Sequence, residues 1–470
     1  MRVVVYVLND VSRDSRVLRE ASTLVAAGHE VVVVGRAPGR DAVAPERRDG
    51  FEIRRLPMPA RRPLWFTWLD RPWALWGLVG RDLGAGPRRW PRAAIVGAVS
   101  VVTLPWVVIR GAWVAGAAAI SRQGDTPTAT GPLDYLARWW FAILPWTTAA
   151  ADAAPPADVH HASDLDTLPA ALRAAARDGA RVVYDAHEVT LAWGVHARQP
   201  RTVRWAMARW ERGLARRVDA IVTVNPGCAA ELGRRLGHPR IVVVRNCPPH
   251  WTPPPSPGGA PPADRLRTAA GLAPDVPVVL CHGGFQAGRG LEETAEAMTR
   301  PGLEPAHLVF LGYTVHAANP IVDRIAADAR LAGRVHVLPA VAPAELLEWV
   351  AGADVGAMPI QPTDRNHVLS TPNKLFECIA AGVPVVSSDF PERRAVVVDD
   401  PLGPLGAVCD PTDPDAIAAA IRSILELDPA ARDDLRARCR RAAAERWNWE
   451  TEGARLLELY ASFAPGPAPG

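Results

Sequence analysis

Short apolar runs recur along this chain, and each leads into a stretch with helical spacing. Val3 to Leu8 is followed by polar Asn9 to Asp14, then by a segment from Ser15 to Ala27 whose Val17, Ala21, Leu24 and Val25 share one face. Gly28 supplies the stop and Val31 to Val34 reads as the next buried strand. The rhythm returns with strands at Asp158–Ala162, Arg181–Tyr184, Asp219–Val224 and Ile241–Val244, separated by helices at Thr167–Arg177 and near Gly227–Leu236. Strands that are apolar throughout need cover on both faces, and an intervening helix brings each new strand back parallel. The expected class is therefore α/β, with chemistry at the carboxyl ends of the strands.

At 470 residues the chain exceeds what one hydrophobic core usually organises. Between Pro248 and Pro262 eight of fifteen residues are proline, which cannot continue a helix or a central strand. A second series follows at Val278–His282, Leu291–Met298, His307–Gly312, Val335–Leu338, Asp354–Met358 and Val385–Ser388. The reading is two parallel-sheet domains facing a central cleft: 1–247, a stiff linker over 248–275, 276–446, a C-terminal helix over 447–463 and a disordered tail at 464–470.

Residues 61–150 break the rhythm. Ten of seventeen tryptophans lie there, seven Arg fall between Arg61 and Arg92, and Ala93 to Ile120 holds one charged residue, Arg110. Basic and aromatic residues flanking an apolar run are what a membrane interface selects. Pro105 and Arg110 interrupt any spanning helix, so peripheral docking is the expectation, with membrane insertion and simple burial as the alternatives. Net charge is only +3, which argues against a nucleic-acid partner. Six scattered cysteines without a CxxC pair fit reduced thiols. The opening apolar run is too short for a signal peptide, so the expected location is cytoplasmic, at the inner face of the membrane.

Of the 53 Lys and Arg residues only Lys374 is a lysine. It follows Pro372 and Asn373 at an expected helix start, where free N–H groups and the helix dipole favour an anion such as diphosphate. Glu377, one turn beyond Asn373, is placed to accept two hydrogen bonds from a vicinal diol such as a ribose. An ordinary amphipathic helix with both charges in water is the alternative. Gly283, Gly284 and Arg289, in Cys281–Gly290, make a second anion element: glycines let backbone N–H groups approach phosphate, and Arg289 can fork onto its oxygens. No P-loop GKS or GKT and no GxGxxG are present. In the first half, His161, Asp164, His187 and Glu188 close two strands at the cleft edge. They lack helical metal-ligand spacing, so no metal is expected, and His187 is read as a catalytic or substrate contact.

Together these segments resemble retaining glycosyltransferase family 4, with its two-Rossmann GT-B fold. The resemblance rests on Asp14–Glu20 with Ala27–Val31, His161–Pro169, Tyr184–Glu188, Gly288–Glu292, and above all Pro372–Glu377 running on to Val386. It implies a nucleotide-diphosphate sugar as donor and no cofactor. Glu377 would hold the ribose, and Arg289, Lys374 and the amides near Asn373 the diphosphate. His187 would reach the sugar, and Asp14, Arg16, His161 and Asp164 would lie on the acceptor side. The implied reaction is metal-independent transfer to a glycan or lipid-linked acceptor in cell-envelope polysaccharide or glycolipid synthesis. The chain departs from the family at Leu369, where the first of two paired glutamates is usual, near Gly284, where Arg is common, and at Ser163, often histidine. Leu369 and Ser163 keep open a catalytically silent scaffold; a nucleotide-sugar epimerase or hydrolase is the other alternative, and the membrane-like insertion speaks against it.

Overall fold

A computed structural model describes residues 1–12, 14–39, 41, 43–59, 74–87, 90–102, 132–253, 264–313 and 319–463. The first domain is an eight-stranded sheet: β1 (Arg2–Tyr6), β2 (Glu30–Arg36), β3 (Val43–Arg48), β4 (Phe51–Leu56), β5 (Val159–Ser163), β6 (Arg181–Ala186), β7 (Ala220–Thr223) and β8 (Ile241–Val243). Their order is β3-β4-β2-β1-β5-β6-β7-β8. All neighbours pair in parallel except β3 with β4, a hairpin closed at Asp49-Gly50. The second sheet holds β9 (Val278–Gly284), β10 (His307–Tyr313), β11 (Val335–Pro339), β12 (Val355–Met358), β13 (Val385–Ser388) and β14 (Gly406–Cys409), in the order β11-β10-β9-β12-β13-β14.

Strand order reverses between β1 and β5 in the first sheet and between β9 and β12 in the second. Neighbouring connections leave in opposite directions at such points, opening a crevice at the strands' carboxyl ends. Two of the three non-glycine residues with positive φ mark the first reversal. Val11 (φ 65) follows β1 and Asp164 (φ 66) follows β5. A β-branched residue held there is strained, and such strain persists only where surrounding packing imposes it.

Side-chain alternation splits the first core in two. Val4 and Tyr6 pack on one face with Ala162 and Tyr184. Val3 and Val5 pack on the other with Val183, Val222 and the helix Trp449–Ala461, through Trp449, Leu456, Leu459 and Tyr460. The C-terminal segment thus crosses between domains, pinned by two tryptophans two residues apart. Trp447 lies in the second core and donates to Asp400 Oδ2 (2.8 Å), whereas Trp449 donates to Thr23 Oγ1 in the first domain (2.8 Å).

The expected boundaries shift in two places. Arg265–Ala270 is a helix whose Leu266 is buried in the second core, so the linker expected over 248–275 ends sooner. Within 61–150, Ala74–Gly84, Trp90–Val102, Pro132–Arg138 and Leu144–Ala153 are helices, and a π-helical turn at Trp139–Ile143 joins the last two. The 132–153 part belongs to the domain core: Trp146 is fully buried, and Trp139 packs edge-on against Trp210. Leu83, Trp90, Ile95, Val101 and Trp140 remain exposed. Among the described residues no helix is long and apolar enough to cross a membrane. The Pro-rich stretch 254–263, the tail 464–470 and the apolar run beyond 102 lie outside the described residues.

Leu456 is fully buried where the crossing helix meets the first sheet. Leu456→Ala is expected to lower stability to urea by about 2–5 kcal/mol, through lost transfer energy and the cavity left behind.

Candidate active site

The helix Asn373–Ala380 starts one residue later than the sequence reading placed it, with Pro372 as its extended cap rather than its first helical residue. Its apolar side, Leu375, Phe376 and Ile379, is buried in the second core, which turns Asn373, Lys374 and Glu377 towards the strand ends. Glu377 Oε2 meets His282 Nε2 at 2.9 Å. Burial raises the Glu377 pKa, but the His282 hydrogen bond and the charges of His282, Arg19 and Lys374 prevail and hold it below the usual carboxylate value. His282, buried near the end of β9, had no role assigned from sequence. Its contact with Oε2 fixes one carboxylate oxygen of Glu377 and leaves Oε1 free of that bond.

Lys374 and Arg289 are both half-buried, and among the described residues neither has an ion-pair partner. Burial first, then repulsion from Arg289, pushes the Lys374 pKa down to about 8. Two neighbouring cations, neither of them ion-paired among the described residues, are an arrangement that suits a multiply charged anion. The glycines complete it. Gly283 (φ 100) has open space where a side chain would project, and Gly290 (φ 77) leaves no room for one because the Pro359 carbonyl occupies it. Gly283 and Gly284 are the last residues of β9 rather than part of a loop. His367, 7% exposed, lies close enough to Arg289 for that charge to lower its pKa, after the larger effect of burial; its Nδ1 meets Thr363 Oγ1 at 2.7 Å.

Across the cleft, His187 is held between two carboxylates: Asp185 Oδ2 lies 2.8 Å from Nε2 and Asp164 Oδ2 lies 3.5 Å from Nδ1. Burial opposes its charge, but Asp185 and Asp164 outweigh burial and raise its pKa well above the ordinary histidine value. The two carboxylates favour its charged form, in which both ring nitrogens donate and neither can accept a proton. Glu188 beside it is pushed up to about 7 by burial and by Asp164, against the pull of Arg289 from the other domain.

The acceptor-side candidates divide. Asp164 reaches the cleft edge, partly exposed. Asp14 caps the first helix, accepting from Val17 N (3.2 Å) and Asn9 Nδ2 (2.7 Å). Arg16 and His161 are buried (3% and 0% exposed), so neither presents a surface to an acceptor. Arg16 forks onto Asp185, with Nε and one terminal nitrogen each 2.8 Å from a carboxylate oxygen, and His161 Nδ1 meets the Tyr460 hydroxyl at 2.8 Å. Of the metal set weighed from sequence, only His161 joins such a cluster. Among the described residues Glu20, His161 and Asp185 alone bring three ligand atoms together. Arg16 lies 3.0 Å from Glu20 and 2.8 Å from Asp185, so a guanidinium already supplies the positive charge there.

The two domains meet through specific hydrogen bonds. Val189 N donates to Asn366 Oδ1 (3.1 Å), and Asn225 Nδ2 donates to the Leu369 carbonyl (2.8 Å). Leu369 therefore contributes its backbone at the position where the family's carboxylate is usual.

Comparison with known proteins bears on the family and the fold. Residues 99–247 match the family model Glycosyltransferase Family 4, and residues 276–427 match Glycosyl transferases group 1. The two segments together span more than half of the chain. The chain belongs to the family 4, group 1 glycosyltransferases. D-inositol 3-phosphate glycosyltransferase of Xylanimonas cellulosilytica is 32% identical over 44% of this chain and 48% of its own length. GDP-mannose-dependent alpha-(1-6)-phosphatidylinositol monomannoside mannosyltransferase of Mycolicibacterium smegmatis is 31% identical over 42% and 50%. The matches span about half the length of these relatives. Among solved structures, sucrose-phosphate synthase from Thermosynechococcus elongatus has a TM-score of 0.67 at 16% identity over 98% of both chains. The trehalose-6-phosphate synthase OtsA has 0.63 at 14% over 98% of this chain and 99% of its own. Both support the fold, which is GT-B.

Lys374 must be charged to hold an anion, so binding raises its pKa and takes up a proton once the free lysine has lost one. Affinity for a nucleoside diphosphate is expected to be level below pH about 8 and to fall above it, approaching tenfold per pH unit. In Lys374→Arg, which stays protonated, that fall disappears. Titration calorimetry from pH 6.5 to 9.5 checks both profiles.

Proposed function

We propose that this family 4 protein is a retaining glycosyltransferase that moves a sugar from a nucleotide-diphosphate sugar to a glycan or lipid-linked acceptor. The observation that carries the reading is the unpaired Lys374–Arg289 couple beside the first turn of Asn373–Ala380, with Glu377 one turn further on. The couple and the first-turn N–H groups around Asn373 would hold the diphosphate, and Glu377, braced by His282, the ribose. Fixed positive groups stabilise a departing diphosphate without reorganising, which is the contribution a metal would otherwise make. This arrangement supports the metal-independent reading.

His187 reaches the cleft as an imidazolium donor. Its role in this proposal is to position the sugar, exchanging the long Asp164 contact at Nδ1 (3.5 Å) for a sugar hydroxyl, and to balance charge near the anomeric centre. Departure and attack on the same face of the sugar then give retention. Leu369 leaves no carboxylate for the sugar hydroxyls, so His367 and nearby backbone amides take over that recognition.

Both curated relatives are named for inositol-phosphate acceptors, and one of those is a phospholipid. That supports an acceptor bearing a phosphate and, with exposed Trp90, Ile95 and Trp140 on the Trp/Arg-rich insertion, peripheral contact with the inner face of the cell membrane in envelope glycan or glycolipid synthesis.

UDP, GDP, dTDP and ADP should be compared by thermal shift, with Glu377→Ala beside wild type. One nucleotide is expected to raise Tm, and the variant to bind it about 1–3 kcal/mol more weakly. Equal shifts in both proteins remove Glu377 from the donor site. For the membrane, Trp90→Ser/Ile95→Ser/Trp140→Ser is expected to lose flotation with vesicles containing anionic lipid. Undiminished flotation rejects docking through this surface.

A further inference from the structure

One cavity lies beside the donor cleft and belongs to neither half of the site above. It measures about 570 Å³ and opens between the first-domain helix Arg201–Ala215 and the second-domain turn at Thr363–Arg365. Leu191 and Ala208 give it an apolar floor, and Arg201, Arg204 and Arg365 line it. Trp205, on the same helix, is 68% exposed and also lines the cavity.

The charges there are not spent on one another. Arg201 has no ion pair among the described residues, and Arg204 makes only a 3.4 Å contact to the Ala197 carbonyl. Arg365 lies 3.9 Å from Glu231, too far for a hydrogen bond, and Glu231 is bonded instead to Arg234 at 2.6 Å. Glu231 and Asp364 are the acidic groups on the walls, and Arg235 adds a fourth guanidinium, bonded to Glu211 behind it at 3.3 Å. The lining is therefore net positive. Arg201 and Arg204 are one helical turn apart, so their forks open on the same side of the helix, and Trp205 comes next in sequence.

The cavity also touches the donor site. Thr363 forms part of its wall, hydrogen bonds to His367 and packs against Gly288, the neighbour of Arg289. Gly194 N, 3.4 Å from Asp364 Oδ2, closes the wall shared by the two domains.

We propose that this cavity binds the phosphate-bearing part of the acceptor. Arg201, Arg204 and Arg365 hold the phosphate monoester or diester, and Trp205 covers a ring of the attached sugar or polyol. Guanidinium forks match phosphate oxygens in pairs, and an exposed indole offers a flat apolar face to the C–H side of a sugar ring. The inference rests on the glycosyl-transfer reading and deepens it by naming the acceptor's chemistry. The same phosphate arrives either on a soluble sugar phosphate or on a lipid headgroup.

The test separates this cavity from the diphosphate site by using Arg289→Gln/Lys374→Gln as the background, which removes the donor-site cations. Glucose 6-phosphate, inorganic phosphate, and vesicles of phosphatidylinositol in phosphatidylcholine are each titrated against that protein. The same ligands are then titrated with Arg201→Gln/Arg204→Gln added. Both arginines are on an exposed helix face, so the added changes are expected to leave the unfolding midpoint in place. The expected result is retained binding in the background and at least about tenfold loss on removing Arg201 and Arg204. Trp205→Ala should weaken glucose 6-phosphate while leaving inorganic phosphate unchanged. Binding of the free sugar phosphate assigns a soluble source; binding to the vesicles alone, lost with the two arginines, assigns a headgroup. No binding of any ligand in the background, or binding indifferent to Arg201 and Arg204, overturns the proposal. Nucleoside diphosphate binding by Arg201→Gln/Arg204→Gln in the otherwise wild-type chain tests the donor reading separately, and its absence there counts against that reading alone.

Discussion

The first domain is organised around one buried ion pair. Arg16 holds Asp185 with two hydrogen bonds and reaches the Val244 carbonyl with its other terminal nitrogen (2.8 Å). The first helix, β6 and the chain's exit from the domain thus meet at a single guanidinium. Burying these charges is costly, and the geometry offsets the cost because both carboxylate oxygens are engaged. Asp185 in turn sets the charge of His187. Tyr460 of the crossing helix closes the network through His161, so the C-terminal segment, the hinge side and the catalytic edge share one electrostatic centre.

The second domain inverts that logic. There, among the described residues, Lys374 and Arg289 make no close ion pair, and Lys374 bears the cost of burial beside Arg289. Burial and Arg289 disfavour the charge of Lys374 in the empty protein, and a bound anion would favour it. Glu377 offsets the couple only in part, because its charge is shared among His282, Arg19 at the hinge and Lys374. Arg19 is anchored to Asn246 Oδ1 (2.8 Å) and the Cys247 carbonyl (2.5 Å), which places a first-domain charge close enough to act on Glu377.

Much of this was legible in the sequence where periodicity is strong. Buried parallel strands declare themselves as continuous apolar runs, and β5 to β8 and β9 to β13 lie within a residue or two of their expected places. The β3–β4 hairpin was missed although Asp49-Gly50 is a strong turn signal, because the flanking residues Glu46, Arg47 and Arg48 are charged rather than alternating. β14 was missed because Gly406–Cys409 is short and has little apolar bulk. At the candidate site, residue type and a helix start singled out Lys374 and Glu377, the glycine-rich segment singled out Arg289, and the fold brings the three into one neighbourhood. Arg16 and His161 were placed on the wrong side of the wall, since a motif gives chain position but not burial. His282 needed the fold: 95 residues separate it from Glu377. The cavity at Arg201 needed both domains, because no local pattern joins that helix to Thr363–Arg365.

The central claim is that the second domain grips a nucleoside diphosphate between the end of β9 and the start of Asn373–Ala380. Hydrogen–deuterium exchange with and without saturating UDP, GDP, dTDP or ADP tests it most directly. One of the four is expected to slow exchange at 283–290 and 373–377 together, with weaker protection at 187–189 across the cleft. Protection confined to the first domain, or none with any of the four, would contradict the account.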